Sequence, residues 1–199
     1  MLTASDLTGL RPATDADLAT IKNDDWKDVV EVDELRVHDG DLALDDDFSG
    51  SDLALLVRGD LIVAGTVSLD ETATLVVTGR LRCRNLACEG NLEVHGAVAV
   101  AETIFGYYEA GMSFFLGAVR AALMVQGNHA FEYDPAQLHV DTHLAFANFR
   151  GLRIGTAEQA RAVLSEEAYA VLAPLMGLVE GGPASVEATR LLRSDGFLR

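Results

Sequence analysis

Cysteine and proline are scarce in this sequence, with two cysteines and four prolines among 199 residues. Two thiols, Cys83 and Cys88, cannot supply the disulfide framework that holds many small secreted domains together, so we expect reduced thiols and a cytoplasmic protein. The N-terminus lacks a basic region followed by an apolar run, which argues against a secretory signal. The most apolar stretch, 112–125, contains Arg120 and is too short to span a bilayer.

Basic residues are also few, because 15 lysines and arginines stand against 31 acidic residues and give a formal net charge of −16. The first 52 residues hold 15 acids and 4 bases, and no basic stripe follows. A polyanion or an anionic membrane would be repelled, so we expect no nucleic-acid and no membrane partner. We expect a protein partner, or self-association as a homodimer, and a basic partner would be attracted to the acidic first third. The same acidity would also keep the protein soluble without any binding role.

A short pattern of apolar residues around a glycine recurs along the chain. Its copies are VRGDLIV (57–63), VTGRLRC (77–83), VHGAVAV (94–100), a weaker FLGAVRA (115–121), and VHDGDLAL (37–44) with one inserted residue. The glycines, Gly40, Gly59, Gly79, Gly96 and Gly117, are spaced 19, 20, 17 and 21 residues apart. Self-similarity at a nearly fixed period of this length indicates a repeat architecture.

The repeat has a direct structural interpretation. Apolar residues that alternate on both sides of a glycine predict two short strands, each with one buried face, and glycine permits the bend between them. Two or three such strands with their corners make up one turn of a three-sided solenoid. Successive turns pair through parallel hydrogen bonds ~4.8 Å apart, so equivalent positions lie above one another. The sequence therefore predicts a mainly β fold, a right-handed parallel β-helix of about five coils.

Other repeat and β folds fit less of the pattern. An antiparallel sandwich also has short alternating strands, but it does not require glycine to return at a fixed interval. A leucine-rich repeat would show a Leu-Asn/Cys ladder and a helical segment in each repeat, and neither is present. A left-handed β-helix of the acyltransferase or carbonic anhydrase type uses strict six-residue repeats, which are absent here.

Equivalent positions in successive repeats define the side chains expected inside the solenoid. They are Leu42, Leu44, Leu55, Val57, Leu61, Val63, Val67, Leu69, Leu75, Val77, Leu81, Cys83, Leu86, Leu92, Val94, Val98, Val100, Ile104, Val119 and Val125. Cys83 takes a position that valines fill in the neighbouring repeats, so we expect a buried structural thiol there.

The predicted domains are an N-terminal cap over 1–34, the β-helix over 35–134, and a mostly helical C-terminal region over 135–199 that packs on the solenoid. Thr14–Asp17 is a helix start, with Trp26 nearby as apolar cover. The segment Thr156–Gln159 forms a capping box before an amphipathic helix, and Pro183 suits the first turn of a second helix. Segments of this kind would close the open ends of the solenoid, which otherwise expose unpaired strand edges.

Several residues predicted to point outward are apolar, namely Ile62, Ala97, Ala99 and Leu116. Two explanations stay open: the C-terminal helices lie over that side of the solenoid, or the side is a binding or dimerisation surface. Next to these residues Arg80, Arg82 and Arg84 form an outward strip, which is either salt-linked or a patch for a partner.

The sequence contains no arrangement typical of a metal or catalytic site, so we predict no catalytic, cofactor-binding or metal-binding residues. His38 and His95 both precede a repeat glycine, but they are about three coils apart, ~14 Å, which is too far to share an ion. His139 and His143 have the spacing of a helical metal site, yet no carboxylate completes a recognisable motif.

The repeats resemble those of the bactofilin-like, polymer-forming cytoskeletal β-helix proteins of bacteria. The matching text is LLVRGDLIVAGTVSL (55–69), LVVTGRLRCRNLACEGNLEVHGAVAV (75–100) and, more loosely, IFGYYEAG (104–111) with LMVQGNHAFEYD (123–134). The likeness covers roughly 35–134 and implies a β-helix that polymerises end to end through uncapped coils. This chain departs from the family in its helical C-terminal region and its apolar N-terminal one, which would obstruct filament growth.

We therefore expect a non-catalytic bacterial scaffold or protein-binding module, without a cofactor. The alternatives are an immunity protein that neutralises a cognate bacterial toxin, and an enzyme with a site near Tyr107 and His129. The residues expected at an interface are Ile62, Arg80, Arg82, Arg84, Leu116, Tyr107, Tyr108 and His129.

Overall fold

The computed structural model describes residues 2–3, 6–27, 34–107, 110–145, 156–175, 190–193 and 198. The N-terminal half of the chain contains β1 (Leu2–Thr3), β2 (Arg11–Pro12), α1 (Asp15–Leu18), α2 (Asp24–Lys27), β3 (Arg36–Asp39), β4 (Leu42–Leu44), β5 (Phe48–Gly50), β6 (Ala54–Arg58), β7 (Leu61–Val63), β8 (Thr66–Leu69), β9 (Thr74–Val77), β10 (Leu81–Cys83) and β11 (Asn85–Cys88). The rest contains β12 (Asn91–Val94), β13 (Val98–Val100), β14 (Thr103–Gly106), β15 (Met112–Phe115), β16 (Val119–Gln126), β17 (Ala130–Glu132), β18 (Leu138–Ala145), α3 (Ala157–Val163) and α4 (Glu166–Leu175).

Parallel pairing between successive turns builds a β-solenoid of about six turns with three sides. The first face contains β4, β7, β10, β13 and the first part of β16. The second face contains β5, β8, β11, β14 and the last part of β16. The third face contains β3, β6, β9, β12, β15 and β17. The predicted mainly β, three-sided parallel solenoid is confirmed.

The sixth turn comes from β18, which lies beyond the boundary predicted at residue 134. It pairs in parallel with β16 from Val119↔Leu138 to Gln126↔Ala145, so it continues both the first and the second face. Its apolar residues alternate along the strand, but no repeat glycine precedes them. The missing glycine is the reason that the sequence predicted about five coils.

The interior of the solenoid is filled by columns of aliphatic side chains. One column on the first face, all at most 9% exposed, is formed by Leu42, Leu61, Leu81, Val98 and Val119. Burial of each such side chain stabilises the fold by about 1.5–3 kcal/mol relative to leaving it in water. Cys83 belongs to the same core, and burial raises the pKa of its thiol to about 12, as expected of a structural thiol.

One residue of the predicted interior faces outward instead. Val125 pairs with Phe105 of β14 and packs with it in the cluster below the C-terminal helices, while the neighbouring Met124 points inward. The reason is a corner inside β16 at Ala122. This residue pairs with neither face, because β16 passes there from the first face to the second. Beyond that corner the alternation is shifted by one position.

The repeat glycines mark a corner where successive turns approach closely. A Cβ on Gly79 would lie 2.6 Å from the carbonyl carbon of Gly59, and a Cβ on Gly96 would lie 2.6 Å from the carbonyl oxygen of Gly79. The amide of each also donates to the glycine carbonyl one turn below, at 2.9 Å in both cases. Glycine is therefore required here by the spacing between turns.

The N-terminal segment lies mainly on the side of the solenoid, whereas the sequence predicted a cap at its end. Ile21 and Trp26 are buried against the outward side chains of the third face, among them Leu56 and Val76. The residues before α1 lie at the end, where β1 pairs with β5, β2 pairs with β3, and Leu7 packs against the interior cluster. Outward aliphatic residues on β6 and β9 explain this placement, because they would otherwise be exposed to water.

Two buried carboxylates fasten this segment to the solenoid. Arg11 donates to both oxygens of Asp17, at 2.7 and 3.0 Å, and to Asp39 on β3 at 2.6 Å. Glu93, fully buried on β12, accepts from the amides of Lys22 at 2.7 Å and Asn23 at 2.8 Å. Hydrogen bonds to a charged acceptor are among the stronger ones in a protein, so these contacts fix the position of the segment.

The C-terminal helices cover the second face. Thr156 and Gln159 form the predicted capping box at the start of α3, with the amide of Gln159 donating to the Thr156 hydroxyl at 3.2 Å. The helix predicted as one continuous element is two, because it ends at Val163 and α4 begins at Glu166. Of the second predicted helix, only 190–193 is described, and Asn85 Nδ2 donates to the carbonyl of Leu192 at 2.8 Å.

Neighbouring residues of β13 point to opposite sides of the solenoid, so two substitutions there test the fold. We expect Val98→Asp to unfold most of the protein, because it places an unpaired charge in a fully buried position. The matched variant Ala99→Asp changes the next residue, which points outward and is exposed, so it should keep a near-native melting temperature. Thermal unfolding followed by circular dichroism distinguishes the two, and equal effects would contradict the assigned facing.

The Glu93 contacts predict how the N-terminal segment responds to mutation and pH. Burial alone would raise the pKa of Glu93, but His95 and the amides of Lys22 and Asn23 outweigh it and lower the pKa. The folded pKa is thus below the unfolded one, so this stabilisation is present at neutral pH and is lost as the pH falls through the acid range. We expect Glu93→Gln to cost about 1–3 kcal/mol at pH 7 and progressively less under acid conditions. Urea unfolding at several pH values tests this, with the exposed Glu71→Gln as control; an equal cost at every pH would contradict it.

Candidate protein-binding face

The first face is the one side of the solenoid whose outward residues are exposed along its described length. Its central column contains one outward residue from each turn, and all six are exposed: Ala43, Ile62, Arg82, Ala99, Arg120 and His139. We call this column and the residues beside it the open face. The equivalent columns on the other two faces are covered by the terminal segments.

A shallow depression lies at the centre of the open face. It has a volume of about 140 Å³ and is lined by Asp60, Ile62, Arg80, Leu81, Arg82, Ala97 and Ala99. The depression exists because the small side chain of Ala99 stands between Arg82 and Arg120 in the turns below and above. Ile62, one of the large apolar side chains left exposed in the described part of the chain, is 41% exposed at its edge. The depression has room for one aliphatic side chain from a partner.

The charges of the open face differ from those of the whole chain. The side chains of Arg82 and Arg120 form no hydrogen bond or ion pair with any residue that the structure describes. They stand two turns apart with Ala99 between them, a separation of ~10 Å. In a chain with a net charge of −16, this is a local concentration of unpaired positive charge.

The edge of the open face is held by a stack of polar side chains at the glycine corner. Asp41 Oδ1 accepts from the amide of Asp60 at 2.8 Å, and Asp60 Oδ1 accepts from the amide of Arg80 at 2.7 Å. Asp60 Oδ2 also accepts from Nη2 and Nε of Arg80, at 2.6 and 3.0 Å. These bonds with Arg80 lower the pKa of Asp60. The carboxylates therefore satisfy backbone amides that the corner leaves outside the sheet.

The side chains of the open face are of the kinds that can bind a partner through charged and apolar contacts. Guanidinium groups bind carboxylates through paired N–H donors, and exposed aliphatic residues contribute apolar area. Among the described residues, no three histidine, cysteine or acidic side chains are grouped so that they could hold a metal ion. Likewise, none of the helices in the described ranges has the length and hydrophobicity needed to cross a bilayer.

Three of the residues predicted at an interface lie together on the open face, namely Ile62, Arg80 and Arg82. Arg84 is not with them, because its Nη2 donates to the carbonyl of Arg193 at 3.4 Å and it is half-buried beside the C-terminal segment. Leu116 is 41% exposed but lies at the corner between the third and first faces, where its amide donates to the carbonyl of Val94.

The site expected near Tyr107 and His129 is not assembled in the structure. Tyr107 packs on the outside of the second face, with its ring parallel to that of Phe105 at a centroid distance of 6.4 Å. His129 is fully buried on the inside, where Nε2 is 3.0 Å from the hydroxyl of Ser113. Tyr108 lies outside the described residues.

Sequence reasoning missed three members of the open face. Ala43, Arg120 and His139 each pair with a residue of the central column. Aligning the repeats on their glycines would have placed Ala43 and Arg120 beside Ile62 and Ala99, because each lies three residues after the repeat glycine. His139 lies on β18, which has no such glycine. The C-terminal helices were one of two explanations for the apolar residues at this side, and that explanation is wrong because the helices cover the second face.

Searches of protein-family models, of curated proteins and of solved structures each returned no match to this chain.

Proposed function

We propose that the protein is a non-catalytic, protein-binding β-solenoid that engages its partner through the open face. One observation carries the proposal: the terminal segments cover two of the three faces, while no described residue outside the solenoid covers the third. A face that only meets solvent could carry polar side chains at every outward position. Instead it combines exposed Ile62, a depression floored by alanines and two unpaired arginines.

The chemistry of the open face favours a partner segment that is acidic and carries an aliphatic side chain. The carboxylates would pair with Arg82 and Arg120, and the aliphatic group would occupy the depression between Ile62 and Ala99. Arginine is enriched at protein interfaces for this reason, since its planar group binds carboxylates with two parallel hydrogen bonds.

The net charge of the chain does not oppose such a partner. The Debye length is about 8 Å at physiological ionic strength, so charges beyond that distance act weakly on a docked segment. Many of the acidic residues belong to the N-terminal third and its corners, away from Arg120. Local charge therefore selects the partner, while the overall charge mainly influences the rate of encounter.

The resemblance to bactofilins suggests a scaffold, and we propose one that does not form filaments. End-to-end growth needs a strand edge that accepts another parallel strand on each side of the solenoid. At the N-terminal end, β2 occupies the third face and runs antiparallel to β3 with Pro12 in its pairing, and β1 occupies the second. These features support a discrete particle, because an antiparallel strand with proline is a poor template for parallel stacking.

The immunity alternative is favoured by a different observation. Asp41, Asp45, Asp46 and Asp52 are all exposed at corners near the N-terminal end of the solenoid. A basic toxin surface would be attracted to this acidic end, and the open face would then play no part.

A photo-crosslinking residue at position 99 tests the open face directly. We expect a discrete adduct with one cellular protein, and we expect Arg82→Glu with Arg120→Glu to reduce its yield at least about tenfold, since each reversal replaces attraction by repulsion. The same residue placed at position 71, which is exposed outside the open face, is the matched control. The captured protein should bind the purified chain less tightly as salt is raised.

Other outcomes would point elsewhere. A crosslink from position 45 that survives both charge reversals would favour the acidic end and the immunity alternative. Equal yields from positions 99 and 71, or filaments of the purified protein in negative-stain images, would contradict the proposal.

A further inference from the structure

We infer that a second site, a cavity open to solvent between the N-terminal segment and the solenoid, binds a small phosphate-bearing molecule. The cavity has a volume of about 440 Å³ and is lined by Ala19, Thr20, Lys22, Arg58, Thr78 and His95. It lies at the corner between the third and first faces and uses no residue of the open face, so this inference is independent of the proposed function.

The stacking of turns assembles one wall of the cavity. Val57 pairs with Val77, which pairs with Val94, so the residues that follow them, Arg58, Thr78 and His95, are neighbours in successive turns. Adjacent members of this column are ~4.8 Å apart along the solenoid. Lys22 and Thr20 form the opposite wall, on the segment that Glu93 fastens to the third face. Residues far apart in sequence are thereby brought around one space.

The lining of the cavity is cationic and polar, and no carboxylate belongs to it. Two acids beside the cavity are already paired: Asp17 with Arg11 and with Arg58, and Glu93 with two backbone amides and His95. The pKa values of both are lowered, so both stay ionised and paired at neutral pH. Lys22 is the lining cation that forms no ion pair with the described part of the chain. In a chain with 31 acidic residues, a concavity lined by lysine and arginine and by no carboxylate favours an anionic ligand.

Several donors in the cavity have no partner among the described residues. Nη1 of Arg58 donates to Asp17 at 3.2 Å, which leaves Nε and Nη2 for a ligand. The ammonium of Lys22 and the hydroxyl of Thr78 make no hydrogen bond with the described part of the chain. A phosphate group has enough acceptor oxygens to bind all three side chains at once, whereas a carboxylate has two.

The imidazole of His95 is oriented by a buried acid. Its Nε2 lies 2.6 Å from Oε1 of Glu93, and because that carboxylate is ionised, Nε2 carries the proton of this bond. In the neutral ring Nδ1 is then an acceptor, so it suits a hydroxyl group of the ligand and not a phosphate oxygen. A carboxylate that orients a histidine in this way is a device of binding and catalytic sites alike.

Titration with inorganic phosphate, followed by ¹H–¹⁵N spectra at constant ionic strength, tests the inference. We expect saturable shifts at the amides of Thr20, Lys22, Thr78 and His95 with a dissociation constant in the millimolar range, on the order of 1–10 mM. Glycerol phosphate should bind more tightly than inorganic phosphate, since the cavity is larger than one phosphate group, and acetate should bind more weakly.

Variants separate a built site from general attraction between charges. We expect Lys22→Gln and Thr78→Val each to weaken phosphate binding roughly fivefold or more, because each removes one donor without removing a bond seen in the fold. Arg82→Gln removes one positive charge from the open face and should leave binding unchanged. The inference would be overturned by the absence of saturable shifts up to about 50 mM phosphate, by shifts that map outside this cavity, or by an equal loss of affinity in Arg82→Gln.

Discussion

Each turn of the solenoid is held to the next by parallel backbone hydrogen bonds, and those bonds fix which side chains lie above one another. A residue cannot change its facing without moving its whole strand by one position, so each interior column must stay aliphatic from turn to turn. The column from Leu42 to Val119 follows this rule across all four sequence intervals that separate the repeats. The glycine corner is more restricted still. Only glycine fits there, because the stacked turns leave no room for a Cβ.

The same constraint decides what the outside of the molecule can do. Within the stack, strand backbones are already paired with the turns above and below, so the three faces differ only in the side chains that they present. Outward aliphatic and aromatic residues such as Leu56 and Phe105 recruit the terminal segments to the third and second faces. The first face presents arginines and small residues, and it remains open. A rigid surface of this kind needs little reorganisation on binding, which lowers the entropic cost of association.

Local patterning was enough to predict the architecture, because the repeat glycine and the alternating aliphatic residues report directly on stacked strands. It was not enough where a feature depends on the path of the chain through space. Val125 was assigned to the wrong side, since a corner inside β16 shifts the alternation, and β18 was missed because it lacks the glycine. The cavity beside His95 could not be predicted from the sequence for the same reason. It depends on the contact between Lys22 and Glu93, which are 71 residues apart in the chain. Only the placement of the N-terminal segment brings those residues together.

In the described part of the chain two faces of the solenoid are covered and the third is bare, and thiol reactivity measures that difference. Cysteine placed at Ala99, Ala87 or Val76 samples the outward side of the first, second and third face in turn, at positions that are exposed, 2% exposed and fully buried. The native thiols do not interfere, since both are buried and burial raises the pKa of each to about 12. We expect Ala99→Cys to react with a water-soluble disulfide reagent at a rate close to that of a free thiol, and the other two variants to react at least about a hundredfold more slowly. Comparable rates at all three positions, or protection at position 99, would contradict this arrangement.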